Sequence, residues 1–69
     1  MVKGRMLEIV RYLEKERMAS YKEIAGVLGM KERTVRYDVD CINNELSLKK
    51  APQIEKYAKG MLFVPDDLD

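Results

Sequence analysis

The chain has 69 residues, of which 46% are hydrophobic and 36% charged, so it can fold into one small domain but contains no apolar run long enough to span a membrane. It has no histidine and a single cysteine, Cys41, which excludes an internal disulfide and cysteine-rich metal sites and argues against most enzymes and cofactors. The formal net charge is +1, but residues 1–65, before the acidic end of the chain, carry 13 basic and 9 acidic groups and favour an anionic partner.

The first predicted element is an amphipathic helix over Lys3–Glu16. Its apolar side carries residues that recur at helical spacing, and its other side is mostly charged. The apolar residues are Met6, Leu7, Ile9, Val10 and Leu13. Because a charge occurs every few residues, this start of the chain does not resemble a secretory signal. We therefore expect a soluble, intracellular protein.

A second, short helix is predicted after a connection at Arg17–Ala19. Ser20 and Glu23 form a capping-box pattern, in which the serine hydroxyl accepts from the backbone NH of Glu23 and the glutamate carboxylate reaches back. Gly29 follows the helix, and glycine readily adopts the left-handed conformation that ends one. The predicted helix is therefore only about two turns long.

The longest predicted helix extends from about Lys31 to Ser47. Its buried side is a stripe of Val35, Val39, Ile42 and Leu46. The opposite side carries polar residues, with two more on its flanks: Arg33, Tyr37, Asp40 and Asn44 face outward, and Thr34 and Arg36 flank them. The exposed side is thus basic where the helix starts.

A β-hairpin is predicted after the break at Pro52. Its strands, Gln53–Tyr57 and Met61–Val64, are rich in strand-forming residues and flank a turn at Gly60. Residues 65–69 form an acidic tail outside an ordered core of about residues 3–64.

Both faces of this hairpin are apolar. We expect one face to carry Ile54, Met61 and Phe63, and the other Leu62 and Val64. One face should cover the helices. The second contacts another subunit or a neighbouring domain, or bends onto the core.

The order of these elements is typical of a winged helix-turn-helix, a mainly α fold in which a three-helix bundle carries a two-stranded wing. Ala25 lies four residues before Gly29, and its small side chain allows the third helix to cross the second closely. Val35 then packs the third helix on the second. In such a domain the first turns of the third helix enter the major groove of duplex DNA.

Side chains suited to DNA lie on these turns, on the short helix and on the hairpin. Arg33 and Arg36 can bind guanine or phosphate, and Thr34 can donate to phosphate. Tyr37 can reach the DNA backbone or a thymine methyl group. The predicted DNA-binding residues are Lys22, Lys31, Arg33, Thr34, Arg36, Tyr37, Lys56 and Lys59.

Each of these predictions has a structural alternative. Arg33 and Arg36 could instead be solvated and pair with Glu32 or Asp40 on the same helix. Tyr21 is either a DNA contact or a packing residue. The hairpin lysines either touch DNA or serve only solubility.

Three further residues of the third helix carry predictions of their own. Asp38 lies beside the core stripe, which favours a structural pairing with a nearby cation. Asp40 faces outward and would weaken phosphate binding there, unless it accepts from a cytosine amino group. Cys41 is expected to be an incidental, partly exposed thiol.

The sequence also resembles a known family. The segment RTVRYDVDCINNEL (Arg33–Leu46), preceded by YKEIAGVLG (Tyr21–Gly29), resembles the amino-terminal DNA-binding domains of BglG-type, phosphotransferase-regulated transcription regulators. Mga-type virulence regulators and DeoR-like repressors carry related domains. Two positions depart from the pattern: the usual serine before the recognition helix is absent around Lys31, and the usual Gly-Tyr pair of the wing is Gly60-Met61.

The resemblance implies a bacterial, cytoplasmic regulator of sugar uptake or metabolism, in which regulatory domains absent from this chain follow the DNA-binding domain. The expected partner is double-stranded DNA, with a homodimer on paired half-sites possible. No cofactor, metal, membrane, small-molecule ligand or enzymatic activity is expected. The competing interpretation is a winged helix used only for protein contact or dimerisation, which the weak net charge, Asp40 and the two-faced strand favour.

Overall fold

The structure, a computed structural model, describes residues 4–57 and 60–63. The predictions that concern Lys3, Lys59, Val64 and the acidic tail fall outside these residues. Within the described ranges there are three helices, α1 (Gly4–Glu16), α2 (Tyr21–Leu28) and α3 (Glu32–Leu48), and three short strands, β1 (Met18–Ser20), β2 (Glu55–Lys56) and β3 (Met61–Phe63). The protein is mainly helical, with a small antiparallel sheet. None of the helices described here has the length and apolar character needed to cross a membrane.

The core forms where the three helices meet the sheet. The predicted stripe of α3 is buried at Val35, Val39 and Ile42, and Ile9 and Leu13 of α1 pack into the same cluster. The sheet and α2 complete it with Ala19, Ile24, Ala25, Ile54 and Leu62. The helical spacing of apolar residues therefore predicted most of the buried side of α1 and α3. It was wrong for Leu7, which is 41% exposed, and Leu46 is only partly buried.

The start and end of α2 follow from local chemistry. The Ser20 hydroxyl accepts a 2.9 Å hydrogen bond from the backbone NH of Glu23, as predicted. The Glu23 carboxylate does not reach back but accepts from the Tyr12 hydroxyl of α1. At the other end Gly29 has φ 67° and ψ 37°, which is the predicted left-handed conformation.

The connection predicted between the first two helices is partly wrong. Arg17 ends α1 with φ 69° and donates its NH to the Leu13 carbonyl at 2.7 Å. Met18–Ser20 then form β1, which pairs antiparallel with β3 and places Ala19 opposite Leu62. A three-residue strand is too short to show periodicity, and its pairing depends on a segment far away in the sequence.

The predicted hairpin is present, with shorter strands than expected and with Gly60 at φ 72°. Lys56 lies opposite Leu62, and β3 occupies the centre of a sheet with the order β1-β3-β2. This register puts Ile54 on the same face as Leu62, and both are buried. The predicted grouping of Ile54 with Met61 is therefore wrong, because a one-residue change of register exchanges the two faces of a strand. The side chain of Phe63 lies outside what the structure describes.

Candidate nucleic-acid interface

A short turn controls how α3 starts. Residues 29–31 separate α2 from α3, and the NH of Met30 donates to the Ala25 carbonyl at 2.9 Å. Lys31 occupies the N-cap position of α3, but its side chain forms no capping hydrogen bond. This agrees with the absence of the serine that the family pattern has before this helix. The Lys31 carbonyl accepts from the NH groups of Thr34 and Val35 at 3.0 and 3.1 Å. The backbone NH groups of Glu32 and Arg33 thus have no partner within the helix.

Three of the predicted DNA-binding residues are exposed and carry unpaired charges. They are Lys22 at the start of α2, Lys31 before α3 and Arg33 in the first turn of α3. Among the residues that the structure describes, none forms an ion pair or a side-chain hydrogen bond with these three groups. Arg33 is thus solvated, as its alternative interpretation predicted, but it pairs with neither Glu32 nor Asp40.

Arg36 has partners within the protein. Its guanidinium donates to Glu32 at 3.1 Å and lies over the Tyr21 ring, 4.4 Å from the ring centre. The alternative interpretation of Arg36, a pairing with Glu32 on the same helix, is confirmed, although the Arg36 side chain is still 54% exposed. Tyr21 is buried, so the packing interpretation of this residue is the correct one. Arg36 thereby joins the outward side of α3 to the start of α2.

Tyr37 and Thr34 differ in how accessible they are. Tyr37 is 63% exposed, whereas Thr34 is half-buried. The neighbouring side chain of Cys41, one helical turn further on, raises the pKa of Tyr37. Cys41 is a free, partly buried thiol, as predicted. Tyr37 is therefore accessible to a partner, whereas Thr34 is less so.

The hairpin meets α3 through an ion pair that the sequence did not predict. Lys56 of β2 donates to the Asp40 carboxylate, and both side chains stay largely exposed. This hydrogen bond raises the pKa of Lys56. The prediction that Asp40 faces outward is confirmed. The charge of Lys56, predicted to contact DNA, is engaged within the protein, and Lys59 lies outside the described residues.

Asp38 holds the structural role that the sequence predicted. Its side chain is fully buried and accepts from Arg5 of α1 through both oxygens, at 2.6 Å from Nε and 3.0 Å from Nη2. Fork-like pairing of this kind fixes the orientation of both groups. The same contact raises the pKa of Arg5. Asp38 therefore anchors α1 to α3 and, being buried, lies apart from the exposed polar side of α3.

A second contact missed by sequence reasoning connects α3 to the start of the hairpin. The Asn43 side chain donates to the Ile54 carbonyl at 3.0 Å and accepts from the Ile54 NH at 2.7 Å. The amide thereby pairs with both backbone groups of one residue, as a neighbouring strand would. An asparagine flanking the core stripe was the only signal in the sequence.

An apolar groove lies away from the first turns of α3. It is bounded by α1, the end of α3 and residues 51–54, and its volume is about 310 Å³. Its apolar lining includes Leu7, Val10, Leu46 and Pro52. The sequence did not predict this groove, and an exposed apolar surface of this kind suits the competing interpretation of a domain for protein contact.

Three elements therefore bring their polar side chains to one surface. Arg36 connects α3 to Tyr21 of α2, and Asp40 connects it to Lys56 of the hairpin. Lys22 follows Tyr21 directly, and Arg33 lies one helical turn before Arg36. We compared the chain with models of protein families, with curated proteins and with solved structures, and nothing matched. The family resemblance therefore remains a prediction.

Proposed function

We propose that the protein is a winged helix-turn-helix domain that binds duplex DNA in a sequence-specific manner. In this proposal α2, the Gly29 turn and α3 are the helix-turn-helix, α3 is the recognition helix, and β2 and β3 with Gly60 form the wing. The observation that carries the proposal is the unpaired, exposed guanidinium of Arg33 on the first turn of α3, directly after that turn. Lys22 and Lys31 lie close to it in the sequence and are also exposed and unpaired.

The chemistry of this surface suits the grooves of DNA. A guanidinium can donate two hydrogen bonds to O6 and N7 of guanine, which specifies a base pair. Lysines and the outward NH groups at the helix start suit phosphate oxygens, which position the protein without specifying sequence. We therefore assign base recognition to Arg33 and phosphate binding to Lys22 and Lys31.

Arg36 takes a different role in this proposal. Because it lies over Tyr21 and pairs with Glu32, its guanidinium is held near the junction of α2 and α3. From there it can clamp a phosphate while keeping its contact with the ring. We propose that this binding serves transcription regulation, a role that rests on the resemblance of Arg33–Leu46 to regulator domains.

Binding-site selection from random duplexes tests the proposal. The selected duplex is then titrated with wild-type and Arg33→Ala protein at several salt concentrations, with fluorescence anisotropy as the readout. We expect the wild-type affinity to fall steeply with salt. Arg33→Ala should weaken binding by roughly 5- to 150-fold and relax the preference at one base pair.

Arg11→Ala is the matched control, because Arg11 is exposed on α1 opposite the buried side of that helix. It should leave the affinity nearly unchanged, and the thermal unfolding of both variants should match that of wild type. If no duplex is enriched and the protein self-associates independently of salt, the competing interpretation of a protein-contact domain is correct instead.

A further inference from the structure

Asp40 is an acidic residue in the middle of a basic surface. It lies on the exposed side of α3, one helical turn after Arg36, where its charge opposes the approach of phosphate. Its carboxylate accepts from Lys56, and the two side chains are 63% and 46% exposed. An ion pair as open as this contributes little to folding. Its position between α3 and the hairpin suggests another role.

The direction from which Lys56 reaches Asp40 is informative. Lys56 lies opposite Leu62 in the sheet, so its side chain leaves the sheet on the face that covers the helices. It therefore extends along α3 and does not project from the outer face of the hairpin. Gly60 packs close to Tyr21, since a Cβ atom there would lie 3.1 Å from a carbon of the tyrosine ring. The end of the hairpin is thus seated on the same ring that carries Arg36.

The charges around the Lys56 ammonium oppose each other. The hydrogen bond with Asp40 raises the pKa of Lys56, whereas the nearby positive charge of Arg36 lowers it. Without Asp40, no carboxylate of the described residues at this junction would offset the effect of Arg36 on Lys56. Asp40 therefore offsets the repulsion and holds the ammonium of Lys56 against α3.

We propose that Asp40 is a positioning residue that withholds Lys56 from phosphate and so sets how much the hairpin contributes to DNA binding. The inference rests on the proposed DNA-binding function and goes beyond it, because it assigns an inhibitory role to a residue outside the predicted DNA contacts. Since the pair is exposed, a phosphate that comes close enough competes for Lys56 directly.

The test compares wild type with Asp40→Asn, Lys56→Gln and the double variant on the selected duplex at a series of salt concentrations. Asp40→Asn should raise the affinity by about threefold to tenfold at low salt. It should also make the slope of log affinity against log salt steeper by about 0.9, the value expected for one additional phosphate contact. In the Lys56→Gln background the same substitution should leave the salt slope unchanged and should raise the affinity only by the smaller, long-range effect of removing one negative charge.

Glu55→Gln is the matched control, because it removes the same charge from the neighbouring residue on the other face of the strand. Glu55→Gln should change the DNA affinity only by the long-range effect of removing one negative charge. The inference is wrong if Asp40→Asn raises the affinity equally in the wild-type and Lys56→Gln backgrounds, or by no more than Glu55→Gln does. In either case Asp40 acts by its charge alone.

A second readout does not involve DNA. The pKa of the Lys56 ammonium, followed by NMR, should fall in Asp40→Asn because the hydrogen bond that raises it is lost. An unchanged pKa overturns the inference even if the protein binds DNA. If wild-type protein binds no duplex, the proposed function fails and this inference fails with it, whereas binding without any effect of Asp40→Asn overturns the inference alone.

Discussion

Asp38 and Asp40 lie on the same helix, and each accepts from a basic residue of another element, yet their surroundings differ. Two residues along a helix rotate the side chain by about 200°, so one carboxylate points into the protein and the other outward. Asp38 is fully buried and binds Arg5, whereas Asp40 is 63% exposed and binds Lys56. The same residue type in the same helix therefore forms two very different ion pairs.

The difference shows how burial decides what an ion pair does. A buried carboxylate that loses its partner keeps a charge without solvation, so the pair resists separation. An exposed pair can exchange its partner for water, salt or phosphate at little cost. The Arg5–Asp38 pair is thus suited to hold α1 on α3, and the Lys56–Asp40 pair to respond to a ligand.

The largest effect that follows is on stability. Asp38→Ala removes two charge-assisted hydrogen bonds from a fully buried position and leaves a cavity there, and we expect it to lower the free energy of unfolding by about 3 kcal/mol. Urea denaturation followed by circular dichroism measures this change. Asp38→Asn keeps the shape of the side chain but not its charge, so its free energy of unfolding should lie between those of wild type and Asp38→Ala. An Asp38→Ala variant as stable as wild type would show that the core does not depend on this pair.

The same substitution at the exposed position should do much less. Asp40→Ala is expected to change the free energy of unfolding by less than about 1 kcal/mol, because its pair with Lys56 is open to solvent. It is measured under the same conditions, so the two alanine variants are a matched comparison. Equal losses at both positions would contradict the distinction between a buried and an exposed pair.

The helices could be predicted because their signals are local. The spacing of Val35, Val39 and Ile42, the Ser20 cap and the glycine at residue 29 each depend on neighbours within one or two turns. The strand β1 and the face occupied by Ile54 could not be predicted from the sequence. Both depend on register with segments distant in the sequence.

The same limit applies to the candidate site. Helical phase predicted that Arg33 and Asp40 face outward and that Asp38 faces inward. It could not identify Arg5, 33 residues away, as the partner of Asp38, nor Lys56 as the partner of Asp40. Partner choice depends on how the elements pack, and it decides which of the predicted DNA-binding residues keep an unpaired charge.

A third carboxylate sharpens the comparison between the two ion pairs. Glu23 accepts from the exposed hydroxyl of Tyr12, a neutral donor, and this hydrogen bond raises the pKa of Tyr12 from 10.0 to about 12. The pKa is higher in the folded protein than in the unfolded chain. The stabilisation is therefore complete below pH 10 and is lost as the pH rises towards 12, since an ionised Tyr12 repels Glu23.

Tyr12→Phe should thus be less stable than wild type at neutral pH, and the difference should shrink between pH 10 and 12, where wild type loses the contact. Urea denaturation over this range measures the difference, and the ultraviolet absorbance of tyrosinate follows the ionisation itself. Glu23→Gln keeps the backbone NH that the Ser20 cap uses but removes the negative charge, so the pKa of Tyr12 should fall towards its ordinary value. Parallel stability curves for wild type and Tyr12→Phe across the alkaline range would mean that this contact, like the pair at Asp40, is too open to solvent to stabilise the fold.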